Sequence, residues 1–208
     1  MSGVARGDLF IVSSPSGGGK TTLIRRLLDS PPGAPLHFSV SHTTRPMRQG
    51  EQNGREYHFV SVADFQKMVQ RGEFLEHNEV HDNIYGTSKA EVLPHLAAGE
   101  DVILDIDVQG ARDVLAACPE AVTIFIVPSS PGELERRLRT RGLDGEEAIR
   151  KRLINASREI QQVEQFQYVI VNDDLNRAIL ELQSIVRVRR LTPARQRVRL
   201  YGIRSEFR

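Results

Sequence analysis

Apolar residues in this chain fall into two kinds of pattern. Four short continuous runs, at residues 9–12, 102–106, 122–127 and 168–171, lack the alternation of a half-exposed strand. Unbroken runs of this length suit the strands of a parallel sheet covered by helices on both faces. Between and after them, apolar residues recur at three- and four-residue steps. This predicts helices over residues 21–28, 109–117, 131–139, 146–166 and 175–191. In the long fourth one, Ile149, Leu153, Ala156, Ile160 and Val163 form a single stripe, which reads as core. Strands alternating with helices place the chain in the α/β class.

The middle of the chain has a different texture. Residues 36–41, 57–60 and 73–80 are short, mixed in polarity and joined by Gly- and Pro-containing loops, which predicts a small antiparallel sheet inserted into the core. A helix over 62–71 would start after Ser61 and end at Gly72. Residues 31–35, rich in proline, read as a rigid turn into this insert, and 140–145 as a second, polar insert between two helices.

Composition narrows the class further. At 208 residues, 39% hydrophobic and with a net charge of +1, the chain fits one soluble domain and carries no global field for nucleic acid. Cys118 is the only cysteine, which excludes an internal disulfide and a multi-cysteine zinc site. No apolar run approaches the roughly 18 residues of a membrane span, and residues 1–7 lack a signal-peptide stretch. A cytoplasmic protein without membrane contact is expected.

Residues 13–22 carry the first chemistry: Ser13-Ser14-Pro15-Ser16-Gly17-Gly18-Gly19-Lys20-Thr21-Thr22. They follow an apolar run and open a helical stretch, the setting in which a phosphate-binding loop works. Glycines let successive backbone N–H groups converge on phosphate oxygens. The helix N-terminus adds the positive end of a dipole, and Lys20 adds a mobile full charge. Thr21 offers a hydroxyl to the Mg²⁺ that travels with a nucleoside triphosphate. The pattern G-x-x-x-x-G-K-[ST] asks for glycine where Ser14 stands, which would cost about 1 kcal/mol if the backbone there needed φ > 0. A ligand-free capping turn is the plain alternative, and three glycines before Lys-Thr-Thr argue against it.

A second signature spans residues 39–57: Ser-Val-Ser-His-Thr-Thr-Arg-Pro-Met-Arg-Gln-Gly-Glu-Gln-Asn-Gly-Arg-Glu-Tyr. Arg45 and Arg48 supply planar, bidentate phosphate donors and Tyr57 a hydroxyl. On a loop separate from the first, they imply a second phosphate group, although alone they would also suit a solvated basic loop. Further along stand Glu76 within Phe-Leu-Glu-His, Tyr85-Gly86-Thr87, Ile103-Leu104-Asp105-Ile106-Asp107-x-Gln109-Gly110 and Val171-Asn172-Asp173-Asp174. Together, from about residue 9 to 191, these motifs resemble the guanylate kinases, P-loop nucleoside monophosphate kinases that phosphorylate GMP.

The resemblance implies a P-loop NTPase-type parallel sheet flanked by helices, with an inserted antiparallel-sheet GMP-binding subdomain and a short mobile lid. In this chain that is one domain, with core 7–36, 88–136 and 153–191, insert 37–87, lid 137–152 and a basic tail 192–208. It implies transfer of the γ-phosphoryl of ATP to GMP, in purine nucleotide metabolism and GMP recycling, with Mg²⁺. The ATP-binding positions would be Ser14, Pro15, Ser16, Gly17, Gly18, Gly19, Lys20, Thr21 and Thr22, with Asn172 near adenine. The GMP-binding positions would be Ser41, Arg45, Arg48, Tyr57, Glu76, Tyr85, Gly86, Thr87 and Asp107. Among these the arginines and tyrosines would hold the phosphate, and Ser41, Glu76 and Thr87 the guanine edge. Lys20, Arg48 and the lid arginines Arg137, Arg141 and Arg152 would be catalytic. Thr21 and Asp105 would meet Mg²⁺, Asp105 through water. The family has a small residue rather than an invariant glycine at the place of Ser14, which weakens the strain argument.

Two rivals stand beside this reading. A catalytically silent interaction domain of the same type would lose phosphate-loop and arginine residues, and here Lys20, Arg45 and Arg48 are kept. A kinase of the same fold with another acceptor is disfavoured by Glu76 with Ser41 and Thr87. His77 and His81, four apart, would chelate a metal only on a helix, and their segment alternates like a strand. The arginines from Arg187 to Arg208, facing the single acid Glu206, suit a solvated, frayed helix end, a subunit contact in a homo-oligomer, or weak polyanion binding. The expected partners are ATP and GMP, with no specific nucleic acid.

Overall fold

Strand β1 (Leu9–Ser13) divides the core by simple alternation: Phe10 and Val12 point into one apolar layer, Leu9 and Ile11 into the other. In the computed structural model, which describes residues 5–29, 36–80, 82–140 and 145–207, β1 is the middle of a five-stranded sheet. Its parallel neighbours are β7 (Asp101–Asp105) and β8 (Val122–Pro128), with β2 (Leu36–Phe38) and β9 (Tyr168–Asn172) at the edges. Helices α1 (Lys20–Leu28) and α7 (Leu175–Arg190) cover the Phe10 face, burying Leu23, Ile24, Leu27, Ala178, Leu182 and Val186. Helices α3 (Lys89–Ala97) and α4 (Val108–Ala117) cover the other with Val92, Leu96, Ala111 and Val114. Burial on both faces is why β1, β7 and β8 read as unbroken apolar runs.

Three expectations need correction. Residues 36–38 belong to the core sheet, paired with β7, not to the inserted one. β9 is an edge strand: Ile170 is buried, but Val169 and Val171 are half exposed. Helix α6 (Glu146–Ile160) stops before residue 166, and Val163 lies in a single 3₁₀ turn, Val163–Gln165. With α5 (Pro131–Thr140), α6 forms a small cluster of its own through Leu134, Leu138, Ile149 and Ala156.

The insert is a four-stranded sheet in the order β4 (His58–Phe59), β3 (His42–Thr43), β6 (Asn83–Ser88), β5 (Phe74–Val80). β6 runs antiparallel to both β3 and β5, whereas β4 joins β3 in parallel. Helix α2 (Val62–Gln70) packs beneath it; its Ser61 cap accepts the Asp64 N–H, and Gly72 with φ 64° ends the turn that follows. β6 and α3 escaped the sequence reading, β6 because Asn-Ile-Tyr-Gly-Thr-Ser is polar, α3 because Pro94 interrupts its pattern.

The tail is more tied down than a frayed end. Asp101, 1% exposed, accepts from Arg190 Nε at 2.6 Å and Arg195 Nη2 at 2.7 Å, while Arg189 pairs with Asp8 at 2.8 Å. A last helix, α8 (Arg197–Glu206), follows. Cys118 is buried and unpaired. No helix among the described residues is long and apolar enough to cross a membrane. The turn expected at 31–35, Arg141 and His81 all lie outside the described residues.

Candidate active site

The loop that leaves β1 emerges beside the end of β7, because Val12 is in register with Asp105. This is the carboxyl edge of the sheet at the strand where the winding reverses, the usual place for a ligand in such folds. Gly17 and Gly19 hold φ of 91° and 95°, so both need glycine. At Gly19 there is a second reason, since a Cβ there would stand 2.3 Å from Asn172 Nδ2. Asn172, at the end of β9, donates to Gly18 O at 2.9 Å and braces the loop from the side. Ser14 is not among the positive-φ residues, so the one departure from the loop pattern carries no such strain.

Lys20 Nζ lies between the Ile106 carbonyl, at 2.8 Å, and Asp105 Oδ1, at 2.6 Å. Thr21 Oγ1 donates to the other Asp105 oxygen at 3.1 Å. A threonine hydroxyl and a carboxylate side by side at the mouth of the loop fit a hard cation with oxygen ligands. Among the described residues no group of three or more acidic, His or Cys side chains forms a metal cage. Two protein oxygens suit Mg²⁺, which keeps waters and takes phosphate oxygens.

Across the cleft, Arg45 is fixed before any ligand arrives. Its Nη2 contacts both oxygens of Glu51 at 2.8 and 3.0 Å, its Nη1 donates to Pro46 O, and its guanidinium sits 5.4 Å from the centre of the Tyr57 ring. Glu51 also accepts the Arg48 N–H at 2.8 Å, and Arg45 holds its carboxyl below the usual range. The Arg48 side chain itself is exposed at the rim. Tyr57 and Tyr85 meet edge to face at 5.6 Å. Burial pushes the Tyr57 hydroxyl up to about 12, so it remains a donor at neutral pH.

Glu76 on β5 is buried, at 7% exposure. Thr87 Oγ1 donates to its Oε1 at 2.7 Å, and Asn78 Nδ2 reaches its Oε2 at 3.4 Å while also holding Asp113 at 3.0 Å. A Cβ on Gly110 would stand 3.1 Å from Oε2, so the α4 backbone closes the pocket behind the carboxylate. Burial dominates over these hydrogen bonds, and the Glu76 carboxyl is raised above its ordinary value. The Thr87 hydroxyl thus stands against the Glu76 carboxylate, the two side by side in one pocket. Asp107 caps α4, accepting the Gly110 N–H at 2.8 Å. Gly86 contributes room: a Cβ there would meet Phe74 at 2.9 Å and Phe65 at 3.0 Å.

These groups line two adjoining cavities, about 800 and 420 Å³. The larger is lined by Arg45, Arg48 and Glu51, the smaller by the loop 14–22, Glu76, Asp107 and Arg152. Thr21, Ser41, Tyr57, Tyr85 and Asp105 form the wall common to both. A separate cavity of about 670 Å³, between Arg6 and α8, lies away from these residues. Arg137 already rests on the loop, donating to Gly18 O at 3.3 Å and Asn172 O at 2.7 Å, with its Nε on Glu133 at 2.7 Å.

Three further residues went unnoticed in the sequence: Glu51, Asn78 and Glu159. Glu51 lies within the second signature, six residues after Arg45, and was readable there as a charge partner. Glu159 follows Arg152 by seven residues, hence on the same face of α6, and lines the same cavity. Its carboxylate lies near the Ser16 backbone N–H and Lys20; burial raises its pKa, and its Oε2 has no hydrogen-bond partner. Only helical spacing could have pointed to it.

Residues 6–189 match the family model described as Guanylate kinase. The chain is 50% identical over 193 residues to the guanylate kinase of Dechloromonas aromatica, covering 93% of this chain and 95% of that one. It is 47% identical over 200 residues to that of Vibrio vulnificus strain YJ016, covering 96% and 97%. Among solved structures, the guanylate kinase of Anaplasma phagocytophilum superposes with a TM-score of 0.76 at 33% identity, over 92% of this chain and 90% of that one.

Proposed function

The chain belongs to the guanylate kinase family, and from that premise we propose how its residues carry the ATP:GMP phosphotransfer of that family, giving ADP and GDP. The observation that carries the assignment of sites is the shared wall of the two cavities. A phosphate-binding loop opens on one side of it, and an arginine–tyrosine cluster on the other. ATP would lie with its phosphates on residues 14–22 and its base near Asn172. GMP would lie with its phosphate on Arg45, Arg48, Tyr57 and Tyr85, and its guanine toward Glu76 and Ser41. Thr87 and Asn78 would aim Glu76, and Asp107 and Gly110 would shape the floor beneath the base.

The acceptor oxygen of a monophosphate is ionised near neutral pH, so transfer needs no strong general base. What remains is alignment of the two nucleotides and neutralisation of charge on the transferring group. Lys20 would leave Asp105 and Ile106 O for the β- and γ-phosphates. Arg137 and Arg152, joined by Arg141, would supply further positive charge. Arg45, already aimed by Glu51, would orient the acceptor. Thr21, with Asp105 through water, would hold Mg²⁺, which would supply positive charge against the phosphates. Closure of the insert and of α5–α6 would keep water from the γ-phosphoryl.

We extend the reading to a cytoplasmic enzyme of purine nucleotide metabolism that recycles GMP, supported by family membership. A coupled ADP-release assay with ATP and a panel of monophosphates tests it. Turnover with GMP well above AMP, CMP and UMP is expected, and equal rates across the panel would remove the guanine assignment.

A further inference from the structure

The chain has six histidines, and four of them gather where the core meets the insert. His37 of β2 and His95 of α3 stack with ring centres 3.6 Å apart and planes 9° apart. His42 of β3 and His58 of β4 stack at 4.6 Å. Between the two pairs lies one carboxylate, Glu91 of α3. Its Oε1 meets His58 Nε2 at 3.2 Å, and its Oε2 meets His37 Nε2 at 3.3 Å. Oε2 also accepts the Val40 N–H at 3.4 Å, and the Glu91 N–H donates to Ser88 Oγ at 3.3 Å.

The chain crosses from core to insert between β2 and β3, through Val40, and returns from β6 to α3 at Ser88. Glu91 therefore touches both crossings, an edge strand of the core and an edge strand of the insert. It lines neither of the two cavities of the site. We propose that Glu91 is a positioning residue for the acceptor site: its carboxylate holds the insert in register with the core, and the hold tightens when His37 and His58 are protonated. The proposal rests on the reading of the insert as the GMP-binding part.

Imidazole is the side chain whose charge ordinarily changes between pH 5 and 8. Neutral rings give the Glu91 carboxylate two hydrogen bonds assisted by its charge alone; protonated rings put charge on the donor as well and turn both contacts into ion pairs. The titratable groups facing the cluster are His37 from β2, Glu91 and His95 from α3, Glu100 just after it, His42 from β3, His58 from β4, and Glu73 ahead of β5. Glu100 is taken by His95, at 2.5 Å from Nδ1. Burial, and then the neighbouring His58, push His42 below the ordinary imidazole value, and its Nδ1 has no hydrogen-bond partner. The Glu91 carboxylate is contacted by His37 and His58 and not by His42. Burial works to raise the Glu91 carboxyl, but the hydrogen bonds from His37, His58 and Val40 outweigh it and hold it below the usual range. The same bonds therefore favour its charged form.

The test compares Glu91→Gln with the parent chain in the ADP-release assay, varying GMP at saturating ATP, at about pH 6 and about pH 8.5. A monophosphate loses its second proton near pH 6, equally for both proteins, so the quantity read is the ratio of their KM values. KM for GMP should rise about five- to tenfold in the variant at the lower pH and stay within about twofold at the higher, with KM for ATP within about twofold at both. His58→Gln, which keeps a donor but cannot titrate, should reproduce the loss at low pH and spare the enzyme at high pH. Melting of the nucleotide-free proteins gives a second readout: Glu91→Gln should lower Tm more at pH 6 than at pH 8.5. A KM ratio equal at both pH values, one below unity at pH 6, or an equal effect on ATP would overturn the proposal. A parent chain inactive on GMP would overturn the proposed function instead, and the melting comparison would still decide whether Glu91 joins the two parts.

Discussion

Asp105 holds Lys20 and Thr21 at once, one carboxylate oxygen on each, at 2.6 and 3.1 Å. The two residues proposed to meet phosphate and Mg²⁺ thus share one acid. On that proposal, nucleotide would exchange partners within this cluster.

Lys20→Ala should lower kcat at least a hundredfold, the scale set by removing one charged or hydrogen-bonding stabiliser of a transition state. Lys20 packs no apolar core, so far-ultraviolet circular dichroism and Tm should change little. Activity within about tenfold of the parent would show that another residue meets the β- and γ-phosphates.

Glu76→Gln should trade recognition for stability. Guanine offers two adjacent donors, N1–H and the 2-amino group, and each hydrogen bond to a carboxylate contributes roughly 1.5–3 kcal/mol. KM for GMP should rise strongly and the preference for GMP over AMP should shrink, with KM for ATP nearly unchanged. Folding raises the Glu76 carboxyl, so it favours the protonated form. That contribution is complete below the ordinary value of 4.5 and is lost as pH rises through the elevated one. The nucleotide-free variant should therefore melt higher than the parent at pH 7, with the gain fading below about pH 4.5. A variant that melts lower at pH 7 would contradict the burial argument, and one that keeps full GMP preference would move the guanine pocket elsewhere.

Glu159→Gln should bind nucleotide more tightly. The parent places a carboxylate near the Ser16 N–H and Lys20, where the proposed site would receive phosphate charge. Removing the charge at constant shape should lower Kd for ADP by about three- to tenfold without altering KM for GMP, a change calorimetry can read directly. Weaker ADP binding would instead make Glu159 a support of the loop.

Glu51→Gln should release Arg45 from its two-point contact. KM for GMP should rise by about tenfold with a smaller effect on kcat, and the extra cost of Arg45→Ala should shrink in the Glu51→Gln background, the mark of residues acting as a pair. Strict additivity of the two substitutions would separate them.

The sequence disclosed the fold where a physical signal is strong and local. Buried strands such as β1 and β8 announce themselves as apolar runs, and the loop after β1 by three glycines and a lysine. It was mute where structure is set by distant partners. β6 reads as polar loop until β3 and β5 pair with it on both sides, and residues 36–38 look like insert until β7 claims them. The same divide runs through the site. Arg45, Glu76 and Asp105 could be named from motifs, whereas Glu91 and Glu159 are set by neighbours far along the chain, such as His58 and Ser16.

The register Leu9 with Val102 also governs how the chain comes into being. β1 is made early and, among the described residues, pairs only with β7 and β8, so its Leu-Phe-Ile-Val segment must wait through more than ninety residues of synthesis. Closing so long a loop is slow, and an unpaired apolar strand is prone to aggregate in the meantime. On the ribosome, the loop after β1 cannot gain its contacts with Asp105 and Asn172 until β7 and β9 have been made. A loop near the start of the chain is thus braced by a residue made 154 positions later.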